Sequence, residues 1–266
     1  MYKRLFTFGC SFTYYKWPTW ADYLYAGRVS EEYQNWGLSG GSNDFIWHSI
    51  TECDAANKIT ADDIVCIMWS QPHRIGDYSH DKGWDLPGSV FQFQPKERVM
   101  KYWDEDHSAL QNLSYMHGAK TLLEAIGCEY KFFSMIKVNL RPDYCRAFNN
   151  VQRSISISMD EFLGYTPDDI RNHNWRETLP GDYHPSPVEH AQMTKSLEYD
   201  LDRDRIDRLA HAADDYIFTA DKPEDQIITV FPEKVPEHRL PRVPGKISGG
   251  KRGLVDVSTL QPFHWE

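Results

Sequence analysis

The sequence predicts an α/β protein, a three-layer α/β/α domain with a flavodoxin-like parallel sheet that is followed by an extended C-terminal arm. Short apolar runs alternate with helical patterns along residues 1–215, which is typical of a parallel sheet covered by helices on both faces. The run from Ile64 to Trp69 is continuously apolar, as expected of a strand buried on both faces. Residues 216–266 are proline-rich and lack a helical period, so this arm either packs on the domain or a second subunit or is disordered.

Four elements are expected before this buried strand. In chain order they are a strand from Leu5 to Phe8 that ends at Gly9, one or two helical turns within Trp17–Tyr25, a short strand from Tyr33 to Trp36, and a helix from about Asp44 to Asn57. The helix is expected because apolar residues recur on one face at helical spacing. Its expected cap is Ser42 or Asn43.

The second half of the chain carries the strongest helix signals. A helix is expected over about 108–126, ending at a glycine, and "CEYKFFSMI" predicts the next strand. "HPSPVEHAQMTKSL" predicts a helix because Ser186 is a good N-cap, Pro187 suits the first helical position and Glu189 completes a capping box. "DLDRDRIDRLAHAADDYI" predicts a charged surface helix. The aromatic residues 76–105 predict an excursion from the scaffold, either a lid over a site or a long packed loop.

The composition excludes several classes of function. Hydrophobic residues make up 41% and aromatic residues 14% of the 266 positions, which is enough for a sizeable core. The formal net charge of -10 disfavours nucleic-acid binding. The N-terminal apolar run is too short for a signal peptide, and no stretch has the length of a membrane span. We therefore expect a soluble, cytoplasmic protein without a membrane partner.

Metal and cofactor motifs are missing from the sequence. The 5 cysteines are widely spaced without a C-x-x-C pair, which predicts buried free thiols rather than disulfides or a zinc site. The 11 histidines include no H-E-x-x-H, and no glycine-rich phosphate-binding motif is present. We expect the protein to use neither a metal nor a cofactor.

Three segments point to a catalytic serine. "FGCSF" lies at the carboxyl end of the first strand, where α/β sheets bind ligands, so Ser11 would stand at the mouth of the sheet. A serine nucleophile needs a base and oxyanion donors. In "PGDYHPSPVEH", an extended segment would point Asp182 and His184 to the same side, so that the carboxylate orients the ring toward Ser11. In "NWGLSGGSN", the N–H of Gly40 can approach a substrate closely.

Ser11 and His184 also have plainer structural explanations, and so do other residues near these segments. Ser11 can cap a helix, and His184 can be a core histidine bonded to the backbone. Cys10 is expected to be a packing thiol, and His190 is expected on a helix surface. Arg74 either binds a substrate carboxylate or phosphate or pairs with one of the many acidic side chains.

The segments resemble the sequence blocks of the SGNH (GDSL-type) hydrolases, in that family's order. "FTFGCSFT" resembles the first block, which makes Ser11 the nucleophile, and "NWGLSGGSN" resembles the second, which places Gly40 in the oxyanion hole. "VCIMWSQPHR" lies where the third block is expected, and "DYHPSPVEH" resembles the last block, which supplies Asp182 and His184. The resemblance spans residues 3 to about 199 and implies the SGNH hydrolase fold.

The chain departs from the family pattern at three places. The family usually has aspartate where Cys10 stands, G-x-N-D where this chain has W-S-Q-P, and D-x-x-H where this chain has D-x-H. The amide of Gln71 can replace the oxyanion-donating asparagine, and Ser70 is the second choice. Asn43 is expected to cap a helix, with substrate contact as the alternative. The D-x-H-P and W-S-x-P-x-R variants are similar to those of phage-encoded members.

The resemblance implies a serine esterase or deacylase that acts on an O-acylated carbohydrate or small-molecule ester. Two alternatives stay open at this point. One is an O-acyltransferase that uses the same triad, and the other is a non-catalytic binding or structural protein with the SGNH fold. A homo-oligomer formed through the C-terminal arm is also possible.

Overall fold

The computed structural model describes residues 1–79, 83–90, 104–134, 149–160, 182, 184–220, 226–231, 253–256 and 258. Its strands are β1 (Tyr2–Phe8), β2 (Ser30–Asn35), β3 (Ile64–Trp69), β4 (Arg74–Ser79), β5 (Gly83–Ser89), β6 (Glu129–Ser134), β7 (Met159–Asp160), β8 (Gln226–Thr229) and β9 (Gly253–Asp256). Its helices are α1 (Trp20–Ala26), α2 (Asn43–Asn57), α3 (Glu105–Ile126), α4 (Asn149–Ser158), α5 (Pro187–Ser196) and α6 (Arg203–Thr219).

A parallel sheet of five strands forms the centre of the fold, in the order β2-β1-β3-β6-β7. β1 lies between β2 and β3, so that Leu5 is opposite Tyr33 on one side and Ile64 on the other. β6 pairs in parallel with both β3 and β7. Every residue of β3 is buried, as its continuous apolar run predicted. The order and the parallel pairing confirm the predicted flavodoxin-like sheet.

Neighbouring side chains of the sheet face two separate cores. Leu5 and Ile64 face a core that α1, α5 and α6 cover. Phe6 and Val65, the next residues in each strand, face a core that α2 and α3 cover. Because successive side chains of a strand point to opposite faces, both faces must be covered by helices. The predicted three layers are therefore confirmed.

The predicted capping box is present at the start of α5. Ser186 Oγ accepts the N–H of Glu189 at 3.2 Å, and the Glu189 carboxylate accepts the N–H of Ser186 at 2.7 Å. Two of the otherwise unbonded N–H groups of the first turn are thereby satisfied. At α2, the N-cap position belongs to Ser42, and Asn43 is already the first residue of the helix.

Helix α3 begins at Glu105 rather than near Ser108, the predicted start. Asp104 is its N-cap, and the Asp104 carboxylate accepts the N–H of His107 at 2.7 Å. Ser108 lies within the first turn, where its hydroxyl donates to the C=O of Pro72 at 2.5 Å. The helix ends as predicted, because Gly127 adopts the left-handed conformation with φ of 80°.

An antiparallel hairpin of β4 and β5 begins at Arg74, two residues before the predicted excursion over 76–105, and forms a sheet of its own. It packs on the start of α2, because a Cβ placed on Gly76 would lie 2.6 Å from Ser42 Oγ and 2.9 Å from the Leu86 side chain. The other aromatic residues expected to form a lid or a packed loop lie outside the described residues, namely Phe91, Phe93, Tyr102 and Trp103.

The described part of the C-terminal arm packs on the domain. Helix α6 continues to Thr219, so the predicted boundary at 215/216 falls inside a helix. The N–H of Ile228 donates to the C=O of Lys16 at 2.7 Å, and the rings of Phe231 and Tyr25 lie 4.9 Å apart. β8 pairs with β9, and most of the remaining arm lies outside the described residues. The predicted oligomer stays a prediction.

Four cysteines are buried free thiols, as expected from their spacing: Cys10, Cys53, Cys66 and Cys128. Cys145 lies outside the described residues. None of the described helices combines the length and the apolar character needed to cross a membrane.

The turn after β1 requires a glycine at position 9. A Cβ on Gly9 would lie 2.1 Å from Thr13 Oγ1 and 2.9 Å from the backbone oxygen of Met68. The first contact involves a side chain that can rotate, but the second involves the backbone of β3. The end of β1 can therefore approach β3 this closely only if residue 9 has no side chain.

We expect Gly9→Ala to lower the free energy of unfolding by about 3 kcal/mol, because the added methyl group clashes with buried backbone. Urea denaturation measures this. Gly127→Ala is the matched control, since its φ of 80° also disfavours alanine but nothing lies within 4 Å of the added Cβ. The control should cost about 1 kcal/mol. Equal losses in the two variants would show that the close approach at Gly9 is not what the turn depends on.

Candidate active site

Ser11 lies in a tight turn that follows β1. The N–H groups of Thr13 and Tyr14 both donate to the C=O of Cys10, at 2.9 and 3.1 Å. Ser11 is not a helix cap, because α1 begins only at Trp20. The residue is 4% exposed, and neither its N–H nor its hydroxyl finds a hydrogen-bond partner in the part of the chain that the structure describes. Its donors are therefore available to a bound molecule.

Asp182 and His184 are in direct contact. His184 Nδ1 lies 2.8 Å from Asp182 Oδ1, and the same oxygen accepts the backbone N–H of His184 at 3.1 Å. A carboxylate that accepts the N–H two residues ahead forms an Asx turn, which differs from the extended arrangement expected for Asp182 and His184. Because Nδ1 is bound to Asp182, Nε2 is the ring nitrogen left to face another group.

The ring of His184 packs on the loop that contains Ser11. The Tyr15 ring stacks on it with centroids 3.8 Å apart, and Phe12 meets it edge-on at 5.4 Å. Trp17 Nε1 donates to the C=O of Pro185 at 3.0 Å. These contacts bring the two distant segments to the same edge of the sheet. No hydrogen bond joins the Ser11 hydroxyl to His184, although both residues are described.

Two residues that the sequence reasoning missed surround Asp182. Tyr15 donates its hydroxyl to Asp182 Oδ2 at 2.7 Å, and Lys16 Nζ lies 2.9 Å from the same oxygen. Both carboxylate oxygens of Asp182 are therefore bonded, one to His184 and one to the loop after β1. Tyr15 and Lys16 stand in "FTYYKW", just past the serine, but no residue spacing there marks them as partners of a carboxylate 166 or 167 positions away.

The charges of this cluster shift the pKa values of the Asp–His pair. Burial acts to raise the pKa of Asp182, but hydrogen bonds from His184, Tyr15 and Lys16 outweigh it and hold that pKa well below its usual range. Burial lowers the pKa of His184, Asp182 acts to raise it, and the positive charges of Arg74 and Lys16 lower it further. The net direction is downward, which favours the neutral imidazole that a general base requires.

The loop that contains Gly40 packs on the end of β1. The N–H of Leu38 donates to the C=O of Gly9 at 3.1 Å, which brings this loop beside the serine turn. Gly40 has φ of 83°, and a Cβ at this position would lie 2.5 Å from the C=O of Leu86 in β5. Glycine is therefore required here for its conformation and for the close approach of the hairpin. No partner of the Gly40 N–H occurs among the described residues.

The side chain of Asn43 is fully used inside the protein. Its amide oxygen accepts the N–H of Ser70 at 2.7 Å, and its amide nitrogen donates to the C=O of Ser70 at 2.9 Å and to Asn112 Oδ1. Because both amide N–H groups are engaged and the residue is 1% exposed, Asn43 holds the loop after β3 in place and has no group left for a substrate.

The two residues expected to replace the missing asparagine differ in their surroundings. Ser70 Oγ is buried without a hydrogen-bond partner, while the Ser70 backbone is bonded on both sides by Asn43. Gln71 is half-buried and begins a turn in which its C=O accepts the N–H of Arg74 at 3.1 Å. Gln71 has the longer reach of the two, and its amide has no partner among the described side chains.

His190 is buried, which makes the predicted surface position wrong. The residue is 0% exposed on the inner face of α5, and its ring meets Phe12 edge-on at 6.3 Å. Neither ring nitrogen has a hydrogen-bond partner, and burial, with a smaller effect from His184, lowers its pKa to about 3. A neutral His190 fills the space behind Phe12. The surface prediction failed because α5 is packed between α1 and α6 rather than lying at the edge of the domain.

The fold and the site together define a flavodoxin-like α/β/α protein with a serine turn and an Asp–His pair at the carboxyl edge of its sheet. Among the described residues, no group of three or more histidine, cysteine, aspartate or glutamate side chains is arranged to hold a metal ion.

Comparison with family models and with curated proteins gives no match. Among solved structures, the chain is similar to an esterase EstA from Pseudoalteromonas sp. inhibited by monoethylphosphonate, with TM-score 0.41 and 11% identity over 73% of this chain and 93% of that chain. It is similar to TesA, with TM-score 0.41 and 12% identity over 73% and 94%. It is also similar to a member of the lipolytic protein G-D-S-L family from Veillonella parvula DSM 2008, with TM-score 0.40 and 14% identity over 73% and 94%. These similarities are low and assign no reaction to this chain.

We expect His184 to titrate below its ordinary pKa of 6.5, and Lys16→Met to raise that pKa, because a positive charge that disfavours the imidazolium is removed. Histidine ring signals in a pH series of NMR spectra measure the pKa of His184 in the unmodified protein and in Lys16→Met. His190, whose pKa is lowered to about 3, should not titrate between about pH 4 and pH 8. Lys120→Met removes a lysine from α3, on the other face of the sheet, and should leave His184 unchanged. A pKa that does not move in Lys16→Met would contradict the electrostatic coupling.

Proposed function

We propose that this protein is a serine esterase or deacylase that acts on an O-acylated carbohydrate or small-molecule ester. The observation that carries the proposal is the packing of the Asp182-paired His184 ring against the loop that contains Ser11. Acyl transfer needs a nucleophile, a base and a group that orients the base, and in this proposal Ser11, His184 and Asp182 fill these three roles. Neither a metal nor a cofactor is required for this chemistry.

The reaction proceeds in two steps. Ser11 Oγ attacks the carbonyl carbon of the ester while His184 Nε2 takes its proton, and the tetrahedral intermediate collapses to an acyl-serine as His184 returns the proton to the leaving alcohol. Water then attacks the acyl-serine with His184 again as the base, which releases the acid and restores the serine. Asp182 holds the ring with its proton on Nδ1, so that Nε2 is available.

The negative charge of each intermediate needs donors that are not already bonded. The N–H groups of Ser11 and Gly40 meet this condition among the described residues, and the Gln71 amide is the third donor in this proposal. Backbone donors fixed in a turn do not have to reorganise as the charge develops, which is why they stabilise the intermediate strongly. Asn43 serves indirectly, by fixing the loop that leads to Gln71.

Tyr15 and Lys16 position the Asp182 carboxylate. With the short D-x-H spacing, one oxygen of Asp182, Oδ1, is hydrogen-bonded to both the backbone N–H and the ring Nδ1 of His184. The second oxygen is fixed by the Tyr15 hydroxyl and the Lys16 ammonium, so the carboxylate cannot rotate away from the ring. This arrangement compensates for the shorter spacing and ties the base to the loop of the nucleophile.

A non-catalytic binding protein is the second candidate, and one observation favours it: the Ser11 hydroxyl is not hydrogen-bonded to His184. Catalytic hydrogen bonds are often long before a substrate binds, so this observation does not exclude catalysis.

An acyltransferase would use the same residues with an alcohol as the acceptor in place of water. Adding a high concentration of a simple alcohol to the assay separates the two enzymes, since only a transferase diverts most of the acyl group to a new ester.

We expect a fluorophosphonate probe to label the protein covalently and Ser11→Ala to abolish the labelling, because the probe reacts only with an activated hydroxyl. Mass spectrometry of the labelled protein measures this. Ser114→Ala is the matched control, since Ser114 is exposed on α3 and should have no effect. His184→Ala should lower hydrolysis of 4-nitrophenyl acetate by about 10²–10⁴-fold with the fold intact by circular dichroism. Absence of labelling in the unmodified protein would favour the binding protein.

We expect Tyr15→Phe to lower kcat about tenfold while leaving KM nearly unchanged, because the variant loses one hydrogen bond to the Asp182 carboxylate but keeps the ring stacked on His184. Steady-state kinetics on 4-nitrophenyl acetate gives both constants. Tyr78→Phe removes the hydroxyl of an exposed tyrosine in β4 and serves as the control. A Tyr15→Phe variant with unchanged kcat would show that Lys16 and His184 suffice to hold the carboxylate.

A further inference from the structure

Arg74 begins β4 at the carboxyl edge of the main sheet. The turn from Gln71 to Arg74 follows β3 directly, and β3 lies beside β1, whose end leads to Ser11. The β4–β5 hairpin that Arg74 opens also packs on Gly40 through the C=O of Leu86. Arg74 is therefore held in the same rim of loops as the nucleophile and the expected oxyanion donors.

The guanidinium of Arg74 has an unused donor. Its Nη1 is buried and has no hydrogen-bond partner. A buried N–H group that gives up water without gaining a partner destabilises a protein by about 1–3 kcal/mol, and more when the group is charged. Native proteins rarely leave such a group unpaired, and an unpaired donor beside a site is explained when a ligand completes it.

Two other cations in the described part of the chain, Arg4 and Lys16, do have partners. Arg4 bonds Asp63 at 2.6 Å, and Lys16 bonds Asp182 at 2.9 Å. No acidic side chain within the described ranges forms an ion pair with Arg74, so the plainer explanation from the sequence finds no support there. The chain as a whole carries a net charge of -10, which makes an unneutralised arginine more notable.

The positive charge of Arg74 also affects the pKa of His184, the proposed catalytic base. Together with Lys16 it lowers the pKa of His184, after the larger effect of burial and against the effect of Asp182. Coulomb interactions between partly solvated charges are largely screened beyond about 10 Å, so this effect places Arg74 in the neighbourhood of His184. Because Asp182 neutralises Lys16, Arg74 is the positive charge near His184, among the residues that the structure describes, that a bound anion can use.

We propose that Arg74 binds an anionic group of the substrate, a carboxylate or a phosphate, so that the natural substrate is a negatively charged ester. This inference rests on the proposed function and adds the substrate class. A guanidinium presents two parallel N–H groups to a carboxylate or phosphate and distinguishes it strongly from a neutral group. The bound anion would hold the ester carbonyl between Ser11 and the oxyanion donors.

A competing role for Arg74 is donation to the oxyanion in place of the missing asparagine. The two roles differ in what they change. An oxyanion donor lowers kcat for every ester when it is removed. A subsite for an anion on the substrate changes the preference between charged and neutral esters, and it also binds the anion when no ester bond is present.

The test compares three acetyl esters that differ in the charge on the alcohol part: methyl 4-acetoxybenzoate, 4-acetoxybenzoate and 4-acetoxyphenyl phosphate. We expect kcat/KM to be higher for an anionic ester than for the neutral one, and Arg74→Met to lower that ratio at least about tenfold. Arg208→Met, which removes an exposed arginine from α6, should leave the ratio unchanged. Mono-4-nitrophenyl glutarate against 4-nitrophenyl pentanoate repeats the comparison with the charge on the acyl part.

The anionic ester whose kcat/KM, relative to its neutral counterpart, falls most in Arg74→Met identifies what Arg74 binds. It shows whether the anion is a carboxylate or a phosphate, and whether it belongs to the acyl part or the alcohol part of the ester. The proposal would be overturned if Arg74→Met had the same ratios of kcat/KM for anionic over neutral esters as the unmodified protein, in both comparisons. An equal loss of kcat for every ester would instead assign Arg74 to the oxyanion. Isothermal titration of Ser11→Ala with benzoate, glutarate and inorganic phosphate provides a readout without turnover. Binding that disappears in Ser11→Ala/Arg74→Met supports the anion subsite even if no ester is hydrolysed, in which case the proposed function alone has failed.

Discussion

The half-buried carboxylate of Asp182 is the constraint on which the site depends. A charge removed from water must be neutralised and hydrogen-bonded, and the cost of leaving it unpaired is several kcal/mol. Asp182 meets this requirement with a lysine, a tyrosine hydroxyl, an imidazole and a backbone N–H. Two of these groups come from the loop after β1, so the pairing that stabilises the charge also fixes the distance between the two ends of the domain.

The loop after β1 contains both the proposed nucleophile and the residues that hold the Asp–His pair in place. Ser11 stands in its turn, Phe12 and Tyr15 contact the imidazole, and Lys16 bonds the carboxylate. The C-terminal arm supports it from outside, because Ile228 donates its N–H to the C=O of Lys16. A segment fixed on both sides in this way loses little further conformational entropy when it binds a substrate, which is the condition for a preorganised site.

The sequence predicted the features that depend on local chemistry. The apolar run of β3, the capping box at Ser186 and the serine turn after β1 all follow from neighbouring residues, and the structure contains each of them. It did not reveal that Lys16 pairs with Asp182 or that His190 is buried. These depend on which face of which element meets a distant segment, and in a single sequence no periodicity or spacing records that. Helix α3 begins three residues earlier than predicted, because Asp104 supplies its cap.

The polar groups at the carboxyl edge of the sheet divide into two sets. Asp182 and Asn43 are saturated by protein partners, so they hold the architecture and cannot bind a ligand. Ser11, the N–H of Gly40 and the Nη1 of Arg74 have no such partners among the described residues. Because unsatisfied donors are costly in a folded chain, the presence of these three along one rim fits a site that a substrate completes. One donor set suits an oxyanion and the other suits a fixed negative charge, and the proposed charged ester would use both.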